Sequence, residues 1–172
     1  MTNLSNELLL VPHTSMWEKV FQKEKSSLEK LLRSNSLEIQ HIGSTAITEA
    51  CARPIMDILC VVHTLDGIEV FKSEFEAQGF SWRGDGGMPN SIQFIRYAKD
   101  GTTELSNIRI FEKINPIIDD FTDFRDYLNA EEEVAKEYSA VKLGLQKKYE
   151  ENPGLYTAAK NQFIKIVLSN LK

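Results

Sequence analysis

The sequence predicts an α+β fold: a mixed β-sheet of about four to five strands, helices packed against it, and a helical C-terminal portion. Three observations carry this. Residues 55–62 (Ile-Met-Asp-Ile-Leu-Cys-Val-Val) form a nearly unbroken apolar run, the pattern of a strand buried on both faces. Strand-like segments separated by helical ones come early and a hairpin comes late, which makes the sheet mixed. From Asn115 onward the periodicity is helical throughout. The chain reads as one domain over residues 1–172, with a sheet-containing part at about 1–113 and a helical part at about 114–172.

The first helix is expected over 16–33. Trp17, Phe21, Leu28, Leu31 and Leu32 form its apolar stripe, and Ser15 followed by Glu18 reads as a capping box. Asn35 and Ser36 end it, and a strand over 37–42 follows, carrying His41. The apolar strand 55–62 comes next. Asp66-Gly67-Ile68-Glu69 then reads as the acidic start of a helix whose inward positions are Ile68, Phe71 and Phe75, with Gly79 just past its end. Residues 84–90 are glycine-rich and read as a surface loop, with a flap over a site as the alternative. Strands at 91–98 and 102–112 flank the turn Lys99-Asp100-Gly101. On the second strand Asn107 and Arg109 share one face, while Ile108 and Ile110 share the other, which should pack. Asn115-Pro116 and Asn152-Pro153 are helix-start signals, and Glu131, Glu132 and Glu133 suit the positive end of a helix between them. The last helix is expected to run to about Ser169.

Composition narrows the function. The net charge is −5, and residues 115–151, with ten acids and five bases, account for all of it. A chain without a basic stripe is a poor binder of duplex nucleic acid, whereas one pocket suffices for a nucleotide or a small phosphorylated ligand. No stretch approaches membrane-spanning length, and residues 1–10 show an apolar run without a basic leader or a cleavage site. Cys51 and Cys60 form no redox or metal spacing, so reduced thiols and a cytoplasmic setting are expected. The sequence carries no signal for oligomeric state.

The chemistry concentrates between His41 and Asp57. Gly43, Ser44 and Thr45 follow a short apolar run; glycine allows close backbone approach, and hydroxyls with backbone N–H groups suit an anion. Asp57 is the one charge inside its strand, and a buried carboxylate needs a partner: a metal, backbone donors, or a base such as Arg53 or Arg125. Tyr138 precedes Lys142 by four residues and Tyr156 precedes Lys160 by four, so each pair shares a helix face. Such a lysine can hold a phosphate while the ring lines a base or sugar. The alternative is a core tyrosine whose neighbouring lysine lays its methylenes over it and snorkels outward. His41 reads first as a partly buried histidine bonded to backbone, with a general base as the other role. Arg125 can hold phosphate bidentately or pair with nearby acids. Cys60 reads as a core residue.

His41-Ile42-Gly43-Ser44-Thr45 followed by Arg53-Pro54-Ile55-Met56-Asp57-Ile58 resembles the GrpB family of small bacterial proteins, and more broadly the nucleotidyltransferase fold. The resemblance continues at Phe124-Arg125-Asp126-Tyr127-Leu128, at Tyr138 with Lys142, and at Tyr156 with Lys160, Phe163 and Ile164. It implies a nucleotidyltransferase-like mixed sheet and a site in which Gly43, Ser44, Thr45, Arg125, Tyr138, Lys142, Tyr156 and Lys160 contact substrate or phosphate; Arg109, on the polar face of its strand, is free either to reach solvent or to join that site as a further phosphate contact. It also implies Asp57 as the catalytic, Mg²⁺-holding carboxylate. Two departures stand out. Leu59 occupies the position of the second acid in the Asp-x-Asp of nucleotidyltransferases, and one carboxylate does not readily fix two metals. Asn107 and Arg109 stand where the family carries a His-x-His strand. Nucleotidyl or phosphoryl transfer is therefore one expectation. A pocket that binds nucleotide or phosphometabolite with weak or no catalysis is the other, and a protein-interaction domain is a third.

Overall fold

The computed structural model describes residues 9–172; the reading of the first residues as leaderless falls largely on 1–8, outside that range. The sheet has five strands in the order β1-β2-β5-β4-β3: β1 Ser36–Ile42, β2 Met56–Val62, β3 Phe80–Trp82, β4 Ser91–Tyr97 and β5 Glu104–Glu112. β2 and β5 run parallel; the other neighbours are antiparallel. The expected mixed α+β class is what the chain adopts. β3 is the element that periodicity does not announce, because its three residues are too few to show a period of two.

The helices are α1 Met16–Leu32, α2 Lys72–Ala77, α3 Ile117–Ala130, α4 Glu132–Lys148 and α5 Pro153–Leu171. One sheet face packs on α1 and α2 through Phe21, Leu28, Leu31, Ile58, Cys60, Phe75, Phe94, Ile108 and Ile110. The isoleucine face of β5 is thus the packed one, as expected. Leu59, Val61 and Phe111 point the other way, against Ile117, Ile118 and Phe121 of α3. A third cluster joins the helical half to the connector after β1: Ile47 and Ala50 meet Phe124, Leu128, Tyr138 and Val167.

Two start signals resolve differently. Ser15 has helical φ/ψ and makes no side-chain cap; Thr14 Oγ1 accepts the Met16 N–H instead, and with Trp17 three residues after Thr14 no capping box forms. Asp66 does not cap a helix. Gly67 turns left-handed (φ +81), a 3-10 turn covers Ile68–Phe71, and only then does the short α2 begin. Asn115 and Asn152 behave as expected, their side chains accepting the N–H groups of Ile117 and Leu155. The glycine-rich loop 84–90 joins β3 to β4 and is fastened down: Arg109 Nη1 donates to the Asp85 carbonyl (2.6 Å) and its Nη2 to that of Gly86 (3.0 Å).

Candidate functional site

Side chains of β2 alternate. Met56, Ile58, Cys60 and Val62 feed the α1/α2 core, so Asp57 must lie on the opposite face, toward the helical half. There the last residue of β1 leads into Gly43 and a 3-10 turn, Ser44–Ala46. That turn is too short to act as a helix N-terminus, so the Gly-Ser segment contributes its backbone turn and the Ser44 hydroxyl. Above it stand α4 and α5. A small cavity of about 70 Å³ results, lined by Ser44, Arg53, Asp57, Asn107, Glu104, Lys142, Tyr156 and Lys160, with Leu10 and Ile55. Leu10 reaches it because Val11 and Ala52 form a two-way backbone bridge.

The structure therefore brings together Ser44, Asp57, Lys142, Tyr156 and Lys160. Tyr138 forms the wall behind them: it is 2% exposed, and its hydroxyl shares a hydrogen bond of 3.3 Å with Ser44 Oγ. Lys142, 1% exposed, does not snorkel; its ammonium donates to the Cys51 carbonyl and lies 4.1 Å from the centre of the Tyr138 ring. Burial, with the charge of Lys160 adding to it, pushes the Lys142 amine down to about 8.

Gly43 is a pocket residue by way of its backbone. It has φ +71, and a Cβ placed there would come within 2.5 Å of Asp57 Oδ2. Asp57 Oδ1 accepts from Asn107 Nδ2 at 3.0 Å, and Asn107 Oδ1 accepts from Gln93 Nε2 at 2.7 Å. Burial raises the Asp57 carboxyl above its usual range; Lys160, the Asn107 hydrogen bond, Arg53 and Arg109 oppose it, in that order. Burial likewise lowers Lys160, with Asp57 opposing.

Besides Gly43 and Tyr138, which back the cavity, four expected contacts lie outside the lining. Thr45 is buried and shares a 2.8 Å hydrogen bond with His41 Nε2. His41 stacks on Phe21, and burial lowers its ring to about 4, so it is neutral near pH 7 and faces the core. Arg125 donates to Gln40 Oε1 and the His41 carbonyl and pairs with Asp126, tying α3 to β1. Arg109 acts on Asp57 only at a distance, its guanidinium being turned to the 84–90 loop. Conversely, Glu104 and Arg53 line the cavity. Sequence reading names Arg53 as a partner of Asp57, not as a ligand contact, and nothing in the sequence marks Glu104.

The oxygen set matches a divalent ion poorly. Asp57 faces the N–H₂ side of Asn107 and the backbone of Gly43, the charges that act on it are those of Lys160, Arg53 and Arg109, and Glu104 is the other carboxylate of the lining. Among the described residues, no group of three or more His, Cys, Asp or Glu could hold a metal.

A model of the family described as GrpB protein matches residues 7–170. The chain belongs to the GrpB family. The glutamate-rich protein GrpB of Alkalihalophilus pseudofirmus is 33% identical over 167 residues, covering 96% of each chain. The UPF0157 protein YqkA of Bacillus subtilis is 29% identical over 163 residues, and there the alignment takes in 95% of this chain but 47% of the relative, so this chain spans about half of that protein's length. Among solved structures, GrpB from Enterococcus faecalis superposes with a TM-score of 0.85 at 23% identity, over 95% of this chain and 99% of that one. The Cid1 poly(U) polymerase, in a MgATP-bound structure, superposes with a TM-score of 0.57 at 15% identity, over 82% of this chain and 46% of that one. At that identity the likeness is one of fold: this GrpB chain is built on a nucleotidyltransferase-like sheet. Among the described residues, no helix is long and apolar enough to cross a membrane.

Proposed function

We propose that the chain binds a nucleotide or a small phosphorylated molecule in the cavity between β2 and helices α4 and α5, and that what enters is the phosphate end. The observation that carries this is the convergence of Ser44, Arg53, Lys142 and Lys160 on one cavity. Its size supports the second half: about 70 Å³ is far below the ~300–1,000 Å³ of pockets that enclose a drug-sized ligand. A base or sugar would lie toward the opening.

Titration calorimetry with inorganic phosphate and with ATP tests this. Lys160→Met should weaken phosphate binding by about tenfold or more, the loss of a charge-assisted hydrogen bond. Unchanged affinity would sink the assignment. Binding should also fall as pH rises through about 8, because Lys142 is then losing the charge that attracts the anion. In the empty protein the same group acts in the opposite sense. Its folded value is depressed, so the stability it contributes is fully present only above its unfolded value near 10.4, and is lost as pH falls toward about 8.

A second reading, Mg²⁺-dependent nucleotidyl or phosphoryl transfer with Asp57 as metal carboxylate, draws support from the sheet shared with Cid1. Under it, turnover of a nucleoside triphosphate should require a divalent ion and Asp57.

A further inference from the structure

We propose that the pocket takes its phosphorylated ligand without a divalent ion, and that Asn107, Lys160 and Arg53 stand around Asp57 where a metal would otherwise stand. The proposal rests on the reading of the cavity as a phosphate site. It adds how the charge balance there is achieved.

The argument begins with the orientation of two carboxamides. Gln93 Nε2 donates to Asn107 Oδ1 (2.7 Å), and Asn107 Nδ2 donates to Asp57 Oδ1 (3.0 Å). The far end of this chain lies under the 84–90 loop. A Cβ at Gly86 would run into Gln93 Oε1 and fall 2.9 Å from Arg109 Nη1, so the glutamine oxygen and the guanidinium share that corner. The relay therefore has a cation at one end and a carboxylate at the other, and each amide is turned to suit both. Reversing it would place N–H₂ groups against Arg109 and a carbonyl oxygen against Asp57, which is unfavourable at both ends. Asn107 is thus held as a donor to Asp57. A metal bridging the two residues would need the opposite orientation, with a lone pair offered to the ion.

The other sides of Asp57 agree. The Gly43 backbone packs against Oδ2, and Leu59 takes the position two residues on where a second acid would stand. The positive charge that a metal would bring is already present as Lys160 and Arg53, both lining the cavity with Lys142. A phosphate entering here meets these side-chain cations directly, with Asp57 and Glu104 as the two carboxylates of the lining. Gln93 becomes a positioning residue: it touches no ligand and fixes the face that Asn107 shows to Asp57.

The test uses the whole chain, inorganic phosphate and Mn²⁺. Calorimetry with phosphate in EDTA and in Mg²⁺ should give affinities within about twofold of each other, and Asp57→Asn should bind phosphate as well as wild type or better, since it removes a negative charge beside the anion. Binding that needs Mg²⁺, and that Asp57→Asn abolishes, would overturn the proposal. Mn²⁺ titration followed by electron paramagnetic resonance reads the site independently of phosphate. Wild type should take up no Mn²⁺ there, whereas Asn107→Asp, which places a second carboxylate beside Asp57 in the β2–β5 register, should gain a site. Mn²⁺ uptake by wild type that Asp57→Asn removes would overturn the proposal even if phosphate failed to bind. Absent phosphate binding with no Mn²⁺ uptake would sink the phosphate reading and leave the metal-free character of Asp57 supported.

Discussion

Arg96→Met should destabilise the protein by about 3–5 kcal/mol, the cost of stranding one partner of a buried ion pair. Arg96 Nη1 holds Glu24 Oε1 at 2.7 Å, its Nη2 donates to the Gln78 carbonyl, and its guanidinium lies 4.1 Å from the centre of the Phe80 ring. The pair joins α1 to β4 across the larger core. Glu24 is only 5% exposed, and its Oε2 has no hydrogen-bond partner among the described residues. Burial already raises this carboxyl above its usual range, with Arg96 the largest opposing influence. Without the arginine, Glu24 must take up a proton or stay charged in an apolar setting. Because its folded value is raised, the stability tied to its protonation is present at low pH and lost as pH climbs through that value, so the variant should lose more at pH 7 than at pH 5. Urea unfolding followed by tryptophan fluorescence measures both numbers. The exposed pair Arg33–Glu74, with side chains 55% and 46% accessible, is the control, and breaking it should cost under about 1 kcal/mol. Equal losses at the two sites would show that burial does not set the cost.

Neither member of that pair stands out in the sequence, and the reason is general. Parity tells which face a residue occupies: Arg96 shares its face with Ile92 and Phe94, and Asp57 shares its face with Leu59 and Val61. Parity does not tell how far a long side chain reaches. Arg109 sits on the same sheet face as Asp57 yet spends its guanidinium on the 84–90 loop, and Arg125 spends its own on β1. The apolar run 55–62, the hairpin around Lys99-Asp100-Gly101 and the Asn-Pro starts were legible because each is a local signal whose cause lies within a few residues. Asp66 was misleading for the complementary reason. Gly67 next to it adopts a left-handed conformation, and that backbone choice replaced side-chain capping.

The site follows the same division. Gly43, Ser44 and Asp57 were readable as a motif, and Lys142 with Lys160 as helical partners of tyrosines. That α4 and α5 set those lysines over the Ser44 turn depends on tertiary packing, chiefly Tyr138 seated between Phe124 and Phe163. Arg53 and Glu104 come into the cavity from a connector and a strand start, where no periodicity applies.

Gly43→Ala tests the close approach of the β1 exit to Asp57, and it should cost more than Gly67→Ala. Two effects add. With φ +71 and ψ −170, Gly43 occupies a region that is essentially closed to other residues, worth roughly 1–3 kcal/mol of strain. In addition, the new methyl would meet Asp57 Oδ2 at 2.5 Å and Asp57 Cβ at 3.0 Å. Asp57 cannot easily retreat, because Asn107 holds its other oxygen and β2 holds its backbone. The turn carrying Ser44 must shift instead, and with it the hydroxyl that meets Tyr138. Phosphate affinity should then fall by more than about tenfold, alongside the loss of stability. Gly67→Ala separates the two effects. Gly67 also has positive φ (+81), but a Cβ there has nothing within 4 Å, so it should cost only the left-handed strain of roughly 1–2 kcal/mol and leave phosphate binding intact. Urea unfolding and phosphate calorimetry on both variants decide the matter. If Gly43→Ala is no costlier than Gly67→Ala and binds phosphate like wild type, the close approach of Gly43 to Asp57 is not what shapes the pocket.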